Sequence, residues 1–208
     1  MINRSIGNPD LLAVADENVQ NTYYGCNQAW YTTDWQRRAG CGPSVACNLF
    51  QYMTRSGNKI NNKETWLSLM DEAWEYVTPT TRGMPTTKLF YESVLSYAKA
   101  KGLDIEYNYC DLPEDKSCRP KLQEVLSFIE GGLLKDAPIA FLNLCNGEEN
   151  NLYRWHWVTI ISLEYAEDGS LAFVKIIDEG LMKKIDLALW YETTTLGGGF
   201  VYFTVAAK

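Results

Sequence analysis

Gly40-Cys41-Gly42-Pro43-Ser44 opens the stretch that decides the fold, and Val45-Ala46-Cys47-Asn48-Leu49-Phe50-Gln51-Tyr52-Met53 completes it. Its apolar residues are Val45, Ala46, Cys47, Leu49, Phe50, Tyr52 and Met53, while Ser44, Asn48, Gln51 and Arg55 form one polar stripe at spacings of four, three and four. A stripe that narrow predicts a helix buried over most of its circumference. Pro43, whose fixed φ and missing N–H suit a first turn, marks its start, and Ser56-Gly57-Asn58 marks its end. Cys41 therefore carries a thiol at the first turn of the most buried helix in the chain.

On the C-terminal side, Trp66, Leu69, Met70, Ala73, Trp74 and Val77 predict a helix over 63–77 with Asn62 as N-cap, broken by Thr78-Pro79-Thr80-Thr81-Arg82-Gly83-Met84-Pro85. A third helix is expected over 87–101, stopped by Gly102, then a short strand at 105–109. Leu122, Val125, Leu126, Ile129 and Leu133 mark a fourth helix. After Pro138 the pattern turns to β, with strands expected over 139–144, 155–163, 171–177 and 200–205, and Glu167-Asp168-Gly169-Ser170 as a hairpin turn. Residues 1–40 have no sustained period and read as loop with short pieces of structure; Gly197-Gly198-Gly199 reads as a flexible turn, since no helix with Lys-Ser/Thr follows to make a phosphate loop. Helices first and strands afterwards is the order of an α+β domain with an antiparallel sheet. The length of 208 residues predicts one domain over 1–208, mainly helical in 1–135 and mainly β in 136–208.

The balance of 19 basic against 26 acidic residues, a net charge of -7, disfavours nucleic acid as a partner, and a hydrophobic fraction of 46% supplies a real core rather than a disordered chain. No apolar run reaches the roughly 18 residues of a membrane span, and the start lacks a signal-peptide pattern, so a soluble, cytoplasmic protein is expected. Six cysteines in a chain with its own core read as reduced thiols. With one histidine and no C-x-x-C pair, neither a metal nor another cofactor is expected. Oligomeric state is not legible.

The lone histidine, His156, lies between Trp155 and Trp157 at the start of a predicted strand. Taken alone, that setting suits a hydrogen-bonded core residue. Cys41 changes the reading, because a helix N-terminus offers unpaired N–H groups and partial positive charge that stabilise a thiolate, and flanking glycines leave the sulfur accessible. A thiolate nucleophile needs a proton carrier and a group to orient that carrier. Asp178 lies 22 residues after His156, across one hairpin, so adjacent strands can bring the two together. Asp178 and Glu179 point to opposite faces of a strand; Asp178 is taken as the partner and Glu179 as a surface charge at the turn. Cys26, Cys47, Cys110, Cys118 and Cys145 read as structural, since none joins a helix start to glycine neighbours.

Gly-Cys-Gly-Pro-Ser heading a buried helix, then His-Trp-Val on a strand and Ile-Asp after a hairpin, resembles the papain-like cysteine peptidase superfamily, and within it the C39-like bacterial peptidases. The resemblance covers two windows, about 24–53 and 155–180. It implies a helical lobe holding Cys41 as nucleophile and a sheet lobe holding His156 as base and acid, with Asp178 fixing the imidazole tautomer. It further implies acyl transfer through a thioester, an oxyanion met by the Cys41 backbone N–H, and a glutamine donor upstream. Gln36, five residues before Cys41, is preferred for that donor, with Gln28, thirteen before, as the alternative. Trp30, Tyr31, Trp35, Trp155 and Trp157 either line a substrate groove or shield the His–Asp pair, and the acidic segment 145–154 reads as a flexible loop over the cleft. The expected activity is a cysteine peptidase or amide hydrolase acting on a peptide or amide substrate. An acyltransferase with an amine or thiol acceptor and a catalytically silent binding module are the alternatives.

Overall fold

The computed structural model describes residues 1–16, 21–54 and 62–206. In chain order the elements are β1 (Ile2–Ser5), β2 (Ala13–Asp16), β3 (Asn21–Tyr24), α1 (Asp34–Ala39), α2 (Cys41–Thr54), α3 (Lys63–Tyr76), α4 (Thr87–Ala100), β4 (Ile105–Leu112), α5 (Leu122–Leu134), β5 (Ile139–Asn143), β6 (His156–Tyr165), β7 (Ala172–Asp178), β8 (Leu181–Asp186), α6 (Leu187–Thr193) and β9 (Gly198–Val205). Helices and an antiparallel sheet make an α+β fold. The expected α2 terminator Ser56-Gly57-Asn58, and Arg55 of its polar stripe, lie outside the described residues.

Helix α2 is buried from Gly42 to Tyr52, beyond expectation, since Ser44, Asn48 and Gln51 of its polar stripe are buried as well. Gly40 caps it, its carbonyl accepting the Ser44 N–H at 2.9 Å, and a Cβ at position 40 would run into the Gln36 carbonyl and the Tyr31 ring. Two helices can meet there at a single residue only because that residue is glycine. Asn62 caps α3 through the Thr65 N–H, and Gly102 follows α4 at φ +68°.

The main sheet runs in the order β4-β9-β5-β6-β7-β8, and β1 pairs with the second half of β6. Successive residues of β9 show both faces covered: Tyr202 meets Phe128 of α5, and Phe203 meets Phe90 of α4. Phe90 also stacks on Trp157 of β6, so α4 lies on the face that Trp157 presents. Strands covered on both sides read as continuous apolar runs, and β5 is buried at all five positions. The N-terminal, mainly helical part therefore gives the sheet two strands, β1 and β4, the latter longer than the expected 105–109.

Three further sequence expectations need correction. Leu181–Asp186 and Leu187–Thr193, assigned to nothing by the sequence, are a strand and a helix. Gly197-Gly198-Gly199 is not a flexible turn: a Cβ on Gly198 would overlap the Leu142 carbonyl and one on Gly197 the Leu112 carbonyl, so bare backbone is what lets β9 enter between β4 and β5. The acidic segment 145–154 is pinned. Buried Glu149 accepts the Asn151 and Asp186 N–H groups at 2.7 Å each, and Leu152 is buried.

Helix α2 is seated on β6 by a polar contact within the apolar core. Buried Asn48 donates to the Thr159 hydroxyl at 3.0 Å and accepts the Cys26 N–H at 2.8 Å, tying helix, sheet and the 25–28 segment together. Replacing it by an apolar residue of similar size orphans a buried backbone N–H, which costs about 1–3 kcal/mol. Asn48→Leu is expected to lower the unfolding free energy by that amount in urea titration; a change under about 0.5 kcal/mol, the scale of an ordinary surface substitution, would show that apolar packing alone holds α2 in register.

Candidate active site

Cys41, His156 and Asp178 each stand at an end of an element: the first residue of α2, the first of β6 and the last of β7. Strand register decides which acid meets the imidazole. From the hairpin turn the pairing begins as Tyr165 with Ala172 and runs to Ser162 with Lys175, a frame that would set Glu179 opposite Val158. A β-bulge at Ile161 shifts it by one, so Ile160 pairs with Ile176 and Thr159 with Ile177. Asp178 then falls opposite Val158 and shares a face with His156, and Glu179 is turned away. Glu179 and Gly180, at φ +52° and +79°, make the two-residue turn into β8.

Asp178 is 3% exposed and has both oxygens engaged. His156 Nε2 is 2.7 Å from Oδ1, and Lys183 Nζ of β8 donates to Oδ2 at 2.6 Å. Burial opposes ionisation of Asp178, but these two hydrogen bonds outweigh it and hold the carboxyl below its usual range. Burial likewise pulls the imidazole down. The hydrogen bond to Asp178 and the influence of the neighbouring Cys41 thiol outweigh it, raising His156 from 6.5 to about 10. With Nε2 committed to Asp178, Nδ1 is the nitrogen left for Cys41. Tyr153 packs edge-on against the His156 ring, and Lys183 sits over the Tyr153 ring, which closes the outer side of the pair.

The two glutamines exchange places relative to expectation. Gln36, the preferred donor, is engaged elsewhere: its carboxamide oxygen accepts the Thr33 hydroxyl and N–H, forming the capping box of α1, and it does not line the pocket that holds Cys41 and His156. Gln28 lines that pocket with Cys41, His156 and Asp178. Its Nε2 donates one N–H to the Arg37 carbonyl at 3.0 Å, and among the described residues the second N–H has no partner. Asn27 ties this segment to the β7–β8 turn, donating to the Glu179 carbonyl at 2.8 Å, and Tyr24 N–H donates to the Gly180 carbonyl at 2.8 Å.

A cleft of about 230 Å³ opens beside Cys41, lined by Trp35, Trp155 and Trp157 among others. Trp35 and Trp155 are 45% and 57% exposed, whereas Trp157 is buried with its indole N–H held by the Met84 carbonyl at 2.8 Å. Trp155 reaches the cleft from a left-handed backbone at φ +55°, unusual for a bulky side chain and adjacent to His156. Neither Tyr31, buried with its hydroxyl donating to the Met70 carbonyl, nor Trp30 belongs to the groove; Trp30 lies elsewhere. It packs edge-on against Tyr23 with Lys63 over its ring.

Lys183 escaped the sequence reading because β8 did, and Tyr153 because it lies in the 145–154 segment, which read as a flexible loop. Glu179-Gly180 between two β-compatible runs was the available signal for β8. Cys145 also departs from expectation, being partly exposed and drawn down to about 7, chiefly by the Thr195 hydroxyl and N–H. Among the described residues no group of three His, Cys, Asp or Glu could hold a metal, and no helix is long and apolar enough to cross a membrane.

No family model and no curated protein matches the chain. Among solved structures, the crystal structure of UfSP from C. elegans is similar, with 7% identity and a TM-score of 0.50 over 100% of this chain and 35% of that one. The chain thus spans about a third of the length of the structure it matches, 35%. At this identity the likeness bears on fold alone: the α+β arrangement here is papain-like, like that of this neighbour.

As the sole histidine, His156 gives an isolated NMR titration. Its imidazole signals are expected to titrate near 10, and to move toward 6.5 in Asp178→Asn, which removes the charge and hydrogen bond that favour the cation. The folded state keeps a proton that the unfolded chain loses near 6.5, so the stabilisation is complete below that pH and disappears as pH rises through about 10. A wild-type midpoint near 6.5 would dissolve the charged pair.

Proposed function

We propose that the chain is a cysteine peptidase or amide hydrolase of papain-like fold, one domain over 1–208, in which Cys41, His156 and Asp178 act as nucleophile, proton carrier and positioning residue. The observation that carries the reading is a juxtaposition at three element ends: Cys41 and His156 line one pocket, and the imidazole lies 2.7 Å from a buried carboxylate. The same groups in an apolar core would need none of the exposure that the cleft beside Cys41 provides.

In this mechanism the Cys41 sulfur attacks the substrate carbonyl carbon as thiolate, and the carbonyl π electrons move to oxygen. The backbone N–H of Cys41, at the start of α2, and the free Nε2 hydrogen of Gln28 meet that oxyanion. Collapse expels the amine, which takes the proton from the His156 imidazolium, leaving a thioester on Cys41 and a neutral imidazole. Neutral His156 then removes a proton from water as it attacks the thioester. The acid departs and the thiolate–imidazolium pair is restored. Asp178 keeps its charge throughout, fixing the Nε2–H tautomer and ring orientation while Lys183 holds its far oxygen. The motif order with Cys-Gly-Pro at the helix start also supports the C39-like assignment within the superfamily.

Digestion of a denatured protein substrate, read by mass spectrometry, is expected to yield cleavage products that Cys41→Ala and His156→Ala abolish. Asp178→Asn should lose less than His156→Ala, since the general base survives, and Glu179→Gln should be nearly silent. Gln28→Ala is expected to lower kcat about 100-fold or more, as loss of an oxyanion donor does. Gln36→Ala should leave kcat unchanged and cost only the reciprocal half of the α1 capping box, since the Thr33 hydroxyl still accepts the residue-36 backbone N–H. Alkylation at neutral pH should modify both Cys41 and Cys145, with His156→Ala slowing only Cys41. Equal loss of kcat in both glutamine variants, or Cys41 labelling indifferent to His156, would remove the assigned roles.

A further inference from the structure

The cleft beside Cys41 carries a charge pattern that the chain as a whole does not. The protein has 26 acidic residues against 19 basic, yet no acidic side chain lines this cleft and two arginines do, Arg38 and Arg82. Both are exposed, and among the described residues neither guanidinium has a carboxylate partner. Of the other described arginines, Arg4 pairs with Glu130, Arg37 with Asp34 and two carbonyls, and Arg119 reaches four carbonyls, while exposed Arg154 is likewise without a carboxylate partner among the described residues. The two cleft arginines come from different elements, Arg38 from the last turn of α1 and Arg82 from the tight turn that Thr80 and Gly83 close with reciprocal hydrogen bonds of 3.0 and 2.9 Å. That turn is fixed in place by the Trp157 indole, which donates to the Met84 carbonyl.

Between the arginines the surface is apolar. Met84 and Leu142 are buried beneath it, and the indoles of Trp35 and Trp155 stand open on its walls. Two exposed indoles bordering about 230 Å³ of space beside a nucleophile offer area for a hydrophobic side chain at low entropic cost, since each has only two χ angles already restricted. A guanidinium beside such a pocket, free of any internal acid, presents its N–H fork to a carboxylate brought by the ligand.

We propose that this cleft selects a peptide segment in which a large apolar residue is flanked by acidic side chains, the apolar group lying between Trp35 and Trp155 and the carboxylates on Arg38 and Arg82. The inference rests on the cysteine peptidase reading for its substrate, but recognition is separable from chemistry. Exposed ion pairs are individually weak, so two of them make a preference of several-fold rather than an absolute requirement.

Calorimetry on the Cys41→Ala protein, which can bind but not turn over, tests recognition alone. The probes are acetyl-Glu-Phe-Glu-Gly-amide and its isosteric neutral counterpart with Gln in place of both Glu residues. The acidic peptide is expected to bind about five-fold or more tightly at low ionic strength, with the preference fading at about 1 M salt. Arg38→Gln with Arg82→Gln should abolish the preference and leave affinity for the neutral peptide unchanged, while Trp35→Ala with Trp155→Ala should weaken both peptides. Equal affinities, no binding of either peptide, or a preference that survives the double arginine variant would overturn the proposal. Treating the wild type with the chloromethyl ketone of the acidic peptide then reports on Cys41 separately. Preference without alkylation of Cys41 removes the peptidase reading and keeps the cleft assignment, and alkylation without preference does the reverse.

Discussion

A carboxylate taken out of water must have its lone pairs met or it will not stay charged, and Asp178, 3% exposed, is where that demand falls. Its two oxygens are satisfied from two different strands, by His156 at the start of β6 and Lys183 in β8. Neither contact exists unless β6, β7 and β8 pair in one particular register. The turn at Glu179-Gly180 fixes the β8 side, and the bulge at Ile161 fixes the β6 side. The charge arrangement at the candidate site is thus a consequence of sheet pairing.

The helix side of the site is held by an independent set of constraints that converge on the same point. Gly40 allows α1 and α2 to meet at one residue, Asn48 locks α2 to β6, and Asn27 ties the Gln28 segment to the β7–β8 turn. Helix, sheet and loop are each anchored to the other two. Groups that must hold one orientation through a reaction benefit from anchors that are already in place before substrate arrives. The two glutamines illustrate the difference between being near in sequence and being aimed: Gln36 is close along the chain and spent on a helix cap, Gln28 is farther and faces the pocket.

Most of the helices and the order of the strands were legible because their signals are local. Caps such as Asn62, stops such as Gly102 and the narrow polar stripe of α2 act over one or two turns of backbone, and single residues report them. The strand β8 was not, since Leu181–Asp186 carries two lysines in its middle and is only partly buried, so neither alternation nor an apolar run marks it. Trp30 looked like a groove residue because it is aromatic and close to Cys41 along the chain. It packs instead against the β2–β3 hairpin, through Tyr23, an arrangement with no sequence signature.

By itself the sequence determined that Cys41 heads a buried helix, that His156 begins a strand, and that an acid lies across one hairpin from it, since each follows from residue type and local period. Which acid reaches the imidazole was decided only in the folded sheet. Residues 157–163 are buried almost without interruption, so the run gives no alternation from which to see that Ile161 is the extra residue. A bulge shifts register by one, one step in register exchanges the faces of the strand, and so Asp178 rather than Glu179 stands beside His156.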